Sequence, residues 1–231
     1  MKLTFLKAKK PLVKEITPNG SKPYPLVKNF TSSEENISID TKGFNKLFRV
    51  LCSAAANNMC MHKGPLKRPL TDEPRAFMSD RSIPTQLLVL DIDGLPYKVT
   101  NNVAIGTLAE HIVLQLPELF HNVSYIAQAS ASLGVKKNTV SLHLFFLLDM
   151  PIHPQTLKDY IRTLNYECEY FAQHIQLSAN GHSLSYVLDP SVADNSKLIY
   201  IAPPKFTDVE DPYPTDRFVK VDRGSPVLDI S

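Results

Sequence analysis

A chain of 231 residues, 43% hydrophobic and 21% charged with a formal net charge of +2, has the make-up of a globular protein with one large core, or a core and a small appendage. No apolar run reaches the ~20 residues of a membrane-spanning helix. Residues 1–7 are too short an apolar stretch for a secretory signal, so a cytoplasmic protein with no membrane partner is the expectation. The three cysteines, Cys52, Cys60 and Cys168, are odd in number and widely spaced, as for reduced thiols.

The small net charge hides an asymmetry. Residues 1–70 hold 13 of the 25 Lys and Arg but only 4 of the 23 Asp and Glu; the remainder is acidic. A basic end beside an acidic end suits a protein that grips a nucleic-acid backbone and binds metal, although a solvated lysine-rich surface has the same composition.

Prolines and a glycine (Pro11, Pro18, Gly20, Pro23, Pro25) interrupt residues 1–40, which read as irregular or β-rich. Phe44, Leu47, Phe48, Leu51 and Ala55 recur at helical spacing, which predicts a helix from Asp40 to Asn58 capped by Asp40 or Thr41. Residues 60–85 are polar and proline-rich and read as a functional loop. A buried strand is expected at 86–92, a helix over 105–120 with a break near Pro117, and strands at 123–129 and 140–148. Leu157, Ile161, Leu164, Cys168, Phe171 and Ile175 form one stripe and predict a single long helix over 154–177. Strands near 184–188 and 197–202 close the pattern. Residues 206–231, rich in proline and charge, read as a linker or tail leading to further domains. The order predicts an α+β fold with a mixed, largely antiparallel sheet flanked by helices and an N-terminal α/β extension. The expected organisation is one catalytic domain over 1–205, with a basic part at 1–84 and a core at 85–205.

Three short segments carry the chemistry. In Leu90-Asp91-Ile92-Asp93 the two acids share one strand face, because side chains alternate with a period of two. Paired carboxylates repel unless a cation neutralises them, so Asp91 and Asp93 suit a hard divalent ion such as Mg²⁺ or Mn²⁺. In Ser141-Leu142-His143 a hydroxyl and an imidazole share a face of an apolar strand and suit phosphate oxygens. In Leu188-Asp189 a third carboxylate ends a strand before Pro190, where an Asp-Pro turn is the plainer reading. Lys197 suits a triphosphate as a point charge. Lys63, Lys67, Arg68 and Arg75 suit template phosphates. Tyr24, Phe30 and Tyr97 suit base stacking or the core. The spacing of Cys60 and His62 is not that of a standard zinc site, and no zinc is expected.

An apolar-Asp-x-Asp motif, a Ser-x-His motif and an apolar-Asp motif in that order resemble the archaeo-eukaryotic primase superfamily, in its phage and plasmid primase-polymerase branch. The resemblance covers roughly residues 85–205 and includes the turn Ser130-Ala131-Ser132-Leu133-Gly134. It implies an RRM-like catalytic core, two catalytic metal ions on Asp91, Asp93 and Asp189, and nucleotide phosphates on Ser141 and His143, with Lys197, Ser130 and Ser132 beside them. It implies DNA primase and polymerase activity on a single-stranded template with NTP or dNTP, and a helicase domain or partner. Leu90-Asp91-Ile92-Asp93-Gly94 also looks like the first motif of haloacid-dehalogenase-type phosphohydrolases. That motif sits deep in this chain, Leu95 replaces the threonine usual after the glycine, and Ser141 and His143 are left without a role. A non-catalytic DNA-binding module for replication initiation is the third reading.

Overall fold

The computed structural model describes residues 1–97, 103–178, 180–214 and 216–230. It is an α+β structure, about 22% helix and 34% strand, built mostly of antiparallel sheets flanked by helices. In chain order the elements are β1 (Lys2–Lys7), β2 (Glu15–Thr17), β3 (Gly20–Lys22), β4 (Asn29–Asn36), α1 (Thr41–Ala56), β5 (Cys60–His62), β6 (Glu73–Pro74) and β7 (Thr85–Pro96). There follow α2 (Ile105–Val113), β8 (Tyr125–Ala129), β9 (Thr139–Ile152), α3 (Pro154–Glu167), α4 (Glu169–Ala172), β10 (Gln176–Leu177), β11 (Leu184–Ser185), β12 (Leu198–Tyr200), β13 (Lys205–Phe206) and β14 (Phe218–Val221).

The core sheet has four strands in the order β14-β8-β9-β7, every neighbouring pair antiparallel. Both β7 and β8 run antiparallel to β9, which lies between them, so they are parallel to each other and α2 makes the crossover. This is a split βαβ unit. The strands are apolar on both faces because both are covered. Tyr125 and Phe146 lie on the α2 face, where the Tyr125 hydroxyl donates to Glu110 at 3.0 Å. On the opposite face Lys220 of β14 donates to Asn45 of α1 at 2.6 Å.

The second sheet, order β12-β5-β1-β4-β6, gathers the N-terminal third and one late strand. Its apolar residues Leu3, Phe5 and Met61 share a continuous core with Leu90 and Leu144 of the first sheet. The α1 stripe is buried as its period requires, and Asp40 caps the helix by accepting from the Gly43 N–H at 2.7 Å.

Three expectations change. The strand at 197–202 does not extend the core sheet: β12 pairs with β5 in the other one. The long helix over 154–177 ends at Glu167, because Cys168 is extended (φ −82°, ψ 106°), and the chain turns through α4 into the β10–β11 hairpin. The break expected near Pro117 is present: the helix after Ile105 stops at Leu114, and a short turn at Glu118–Phe120 follows the proline, whose preceding residue is disfavoured in helical geometry.

The segment 206–231 is not a linker over its described residues. Phe206 pairs beside Ile16, β14 forms an edge of the core sheet, and Leu228 is fully buried. Residues 215 and 231 of that segment lie outside the described residues. Its prolines fall between the pairing stretches rather than within them, which is why a proline-rich composition coexists with packing. Leu228→Ala is therefore expected to destabilise the chain by about 2–5 kcal/mol, read from the midpoint of urea unfolding.

Candidate active site

In the core sheet Asp91, His143 and Gln128 stand in register across three adjacent strands, with Asp91 opposite His143 on one side and Gln128 opposite it on the other. Nε2 of His143 lies 3.3 Å from Asp91 Oδ1, and Nδ1 lies 2.6 Å from Gln128 Oε1. Gln128 uses its amide N–H on the Ile201 carbonyl at 3.1 Å, so its oxygen is left to accept. Both ring nitrogens then face acceptors. Burial pushes the Asp91 carboxyl up. The charge of His143, the hydrogen bond from it and the charge of Lys197 outweigh that and hold it below the usual carboxylate range.

Beyond Ile92 the strand pairing is irregular, and Gly94 adopts φ +69°, a conformation open to glycine. The Gly94 N–H donates to Ser141 Oγ at 2.9 Å, and Ser141 Oγ donates to Asp93 Oδ1 at 3.1 Å. This bulge aims the exposed Asp93 carboxylate. Ser132 reaches the same oxygen at 3.4 Å and is bonded to Ser130 at 3.0 Å.

Asp189 is brought alongside by its backbone, whose N–H donates to the Asp91 carbonyl at 3.0 Å. Its carboxylate caps the short turn of Pro190–Ala193 through the Ser191 N–H, and it also accepts from Lys197 Nζ at 3.2 Å. The Asp-Pro turn and the site carboxylate are thus the same residue.

Asp91, Asp93, Asp189, His143, Lys197, Ser130 and Ser132 all line one open cavity of about 580 Å³. Tyr24 and Tyr200 form part of its wall, stacked at 3.7 Å and 11°. Tyr186 and Leu184 line the rim beside the β10–β11 hairpin. Ser141 is not on the wall: it is buried, and the bulge occupies its hydroxyl as both acceptor and donor, so it positions Asp93 instead of meeting phosphate.

The template residues divide. Lys63 is buried with its ammonium on Thr85 Oγ1 at 2.9 Å, and burial pushes it down to about 8. Arg68 is forked onto Glu73 by two 2.6 Å bonds. Arg75 donates to the Ser196 carbonyl at 2.8 Å and lies over the buried Phe30 ring. These three hold the loop together, because a cation near a carboxylate, hydroxyl or carbonyl is used locally before it reaches solvent. Only Lys67 of the four is exposed without such a partner among the described residues. The loop's larger effect is to fix Lys197, whose carbonyl accepts from the Lys63 N–H at 3.0 Å. Tyr97 packs on His111 rather than on the cavity. Cys60 is buried, and the ring nitrogens of His62 are bonded to Gly64 O and Ser79 Oγ.

Among the described residues no three His, Cys, Asp or Glu side chains are drawn together as a closed metal cage. Three carboxylates, the donor type that hard divalent ions take, share one cavity with His143 and Lys197, and among the described residues Asp93 accepts from the Ser132 and Ser141 hydroxyls. Gln128, Tyr200 and Ser191 were not singled out from sequence. Gln128 had a signal, since an amide inside the otherwise apolar Tyr125–Ala129 strand must be hydrogen-bonded.

Comparison with protein-family models, with curated proteins and with solved structures gave no match.

The state of Lys63 gives a test. Its folded value is below the ordinary lysine value of 10.5, so between about pH 8 and 10.5 the unfolded chain binds the extra proton and stability should rise with pH. Lys63→Met is expected to flatten that rise and to stabilise the chain at neutral pH, measured by urea unfolding at about pH 7 and about pH 9.5.

Proposed function

We propose that this chain is a template-directed nucleotidyl transferase, a primase-polymerase that joins nucleoside triphosphates on single-stranded DNA. The observation that carries this reading is the convergence of Asp91, Asp93 and Asp189 with His143 and Lys197 on one open cavity, from three separate parts of the chain. The order of the motifs supports it, as does the basic N-terminal third. Asp91, Asp93 and Asp189 would hold two divalent ions, which when bound supply activation of the attacking 3′-hydroxyl and neutralisation of the leaving pyrophosphate.

The chain's own residues do the rest. Gln128 fixes the ring of His143 so that its Nε2 points at the Asp91 edge of the cavity. His143 and Lys197 bring hydrogen-bond donors to a site that would receive a triphosphate, and Lys197 reaches it from a loop pinned by Lys63 and Arg75. The Ser130–Ser132 turn offers hydroxyls with small side chains, so a phosphate can approach closely. Ser141 holds Asp93 in place through the bulge. Such a site works by positioning and by placing charge where charge develops.

A phosphohydrolase of the haloacid-dehalogenase type leaves Ser141 and His143 without a task, yet both are bonded directly to the aspartates. The transferase reading uses every one of these contacts.

Unprimed single-stranded DNA, labelled NTPs or dNTPs, and Mg²⁺ or Mn²⁺ should yield metal-dependent chains. Asp91→Asn should lower synthesis by at least about a hundredfold with an unchanged circular dichroism spectrum. His143→Ala should act mainly through the nucleotide, raising apparent KM about tenfold. Wild-type synthesis by Asp91→Asn would overturn the assignment.

A further inference from the structure

Phe77 is 84% exposed, yet it does not sit on a loose tip. It occupies the bend of a tight turn closed by the Met78 N–H on the Arg75 carbonyl at 2.9 Å. The turn is clamped on both sides. The Lys67 N–H donates to the Met78 carbonyl at 2.8 Å, Leu66 bridges Ser79, and Ser79 Oγ is bonded to His62 Nε2 at 2.8 Å. At its root Arg75 holds the carbonyl of Ser196, the residue next to Lys197 on the cavity wall. A turn fixed by these bonds therefore presents an apolar ring to water, two residues from the Arg75 that reaches the segment carrying Lys197, where burial would have been favourable.

The surroundings of the ring say what fits it. Ala76, Lys67 and Arg68 around it are exposed, so there is one aromatic ring and no apolar patch of the size a protein interface requires. One ring matches one base. Lys67, brought next to the turn by its backbone bond to Met78, is an exposed cation, whereas its neighbour Arg68 is engaged by Glu73. An aromatic face beside an unpaired cation is the pairing used for single strands: stacking holds a base and the cation holds the backbone.

We propose that Phe77 and Lys67 form a single-strand binding station, where Phe77 stacks on an unpaired base and Lys67 contacts a neighbouring phosphate of the strand entering the cavity. The station reads no sequence, since every base offers a π-face. It names the template path of the transferase proposed above and rests on that reading for its purpose, though its binding is measurable without catalysis.

The chain contains no tryptophan, so Phe77→Trp introduces a single fluorophore at the station. Oligo(dT) added to that variant should quench its emission, and a duplex of equal length should not. Anisotropy with labelled oligo(dT) should show Phe77→Ala binding about tenfold more weakly, with Phe77→Trp restored to wild-type affinity. Lys67→Ala should lower the slope of log affinity against log salt by about 0.7. Because both side chains are exposed, the melting temperatures should not move. Unchanged affinity in Phe77→Ala, equal quenching by duplex, or an emission change driven by protein concentration alone would each overturn the station. Failure of the station with synthesis intact leaves the transferase standing. Quenching by oligo(dT) in a chain that makes no product does the reverse.

Discussion

Asp91 carries a negative charge into a region where both sheets meet, and the surrounding structure is arranged around neutralising it. A carboxylate there loses much of its hydration, which favours the protonated form. The His143 ring in the facing strand and the Lys197 ammonium reverse that preference. The ring can serve only because Gln128, one strand further on, accepts from its other nitrogen, and Gln128 is itself fixed by the Ile201 carbonyl. One charge thus ties three strands of the core sheet to the chain leaving β12. Removing a member leaves a polar group without its partner, so these contacts specify geometry more than they add stability.

The second acid is managed differently. Asp93 shares a strand face with Asp91 by alternation, and a regular strand would leave the two charges stacked along it. The irregularity after Ile92, with Gly94 at positive φ, turns the chain where the second charge stands. Ser141 fills the gap by taking the freed Gly94 N–H and donating to Asp93. A hydroxyl suits this place because it is donor and acceptor at once.

Legibility from sequence followed the range of the physics. Strand alternation and helical periodicity are local, so the β7 acids, the α1 stripe and the apolar strands were readable. Pairing across sheets is not local. Nothing in Leu198-Ile199-Tyr200 says that it joins Cys60–His62 rather than the strand carrying Asp91. The stripe continued through Cys168 and Phe171, both buried, while the backbone between them left the helix. Periodicity reports which residues face the core, and a break that keeps the same face buried leaves it unchanged. Lys63 misled for a related reason. Its neighbours are polar and proline-rich, but its side chain points inward to Thr85, a partner 22 positions away.

The site belongs to neither sheet alone. The core sheet supplies Asp91, Asp93 and His143, while Lys197 and Tyr200 arrive with β12, which is paired to the N-terminal sheet. Asp189 stands between, hydrogen-bonded by its backbone to β7 and by its carboxylate to Lys197. The carboxylates and Lys197 are therefore mounted on different bodies of structure, joined by a shared core and a few directed bonds. Small adjustments between the sheets would change the separation of Lys197 from the aspartates without disturbing either hydrogen-bond ladder. The loop at 63–83 limits that freedom by gripping the backbone on both sides of Ser196 and through Asn195. The basic first third thus helps to build the candidate site as well as carrying positive charge, and a segment limited to residues 85–205 would retain the acids and the Lys197–Asp189 contact while losing the loop that fixes the backbone at Ser196 and Lys197.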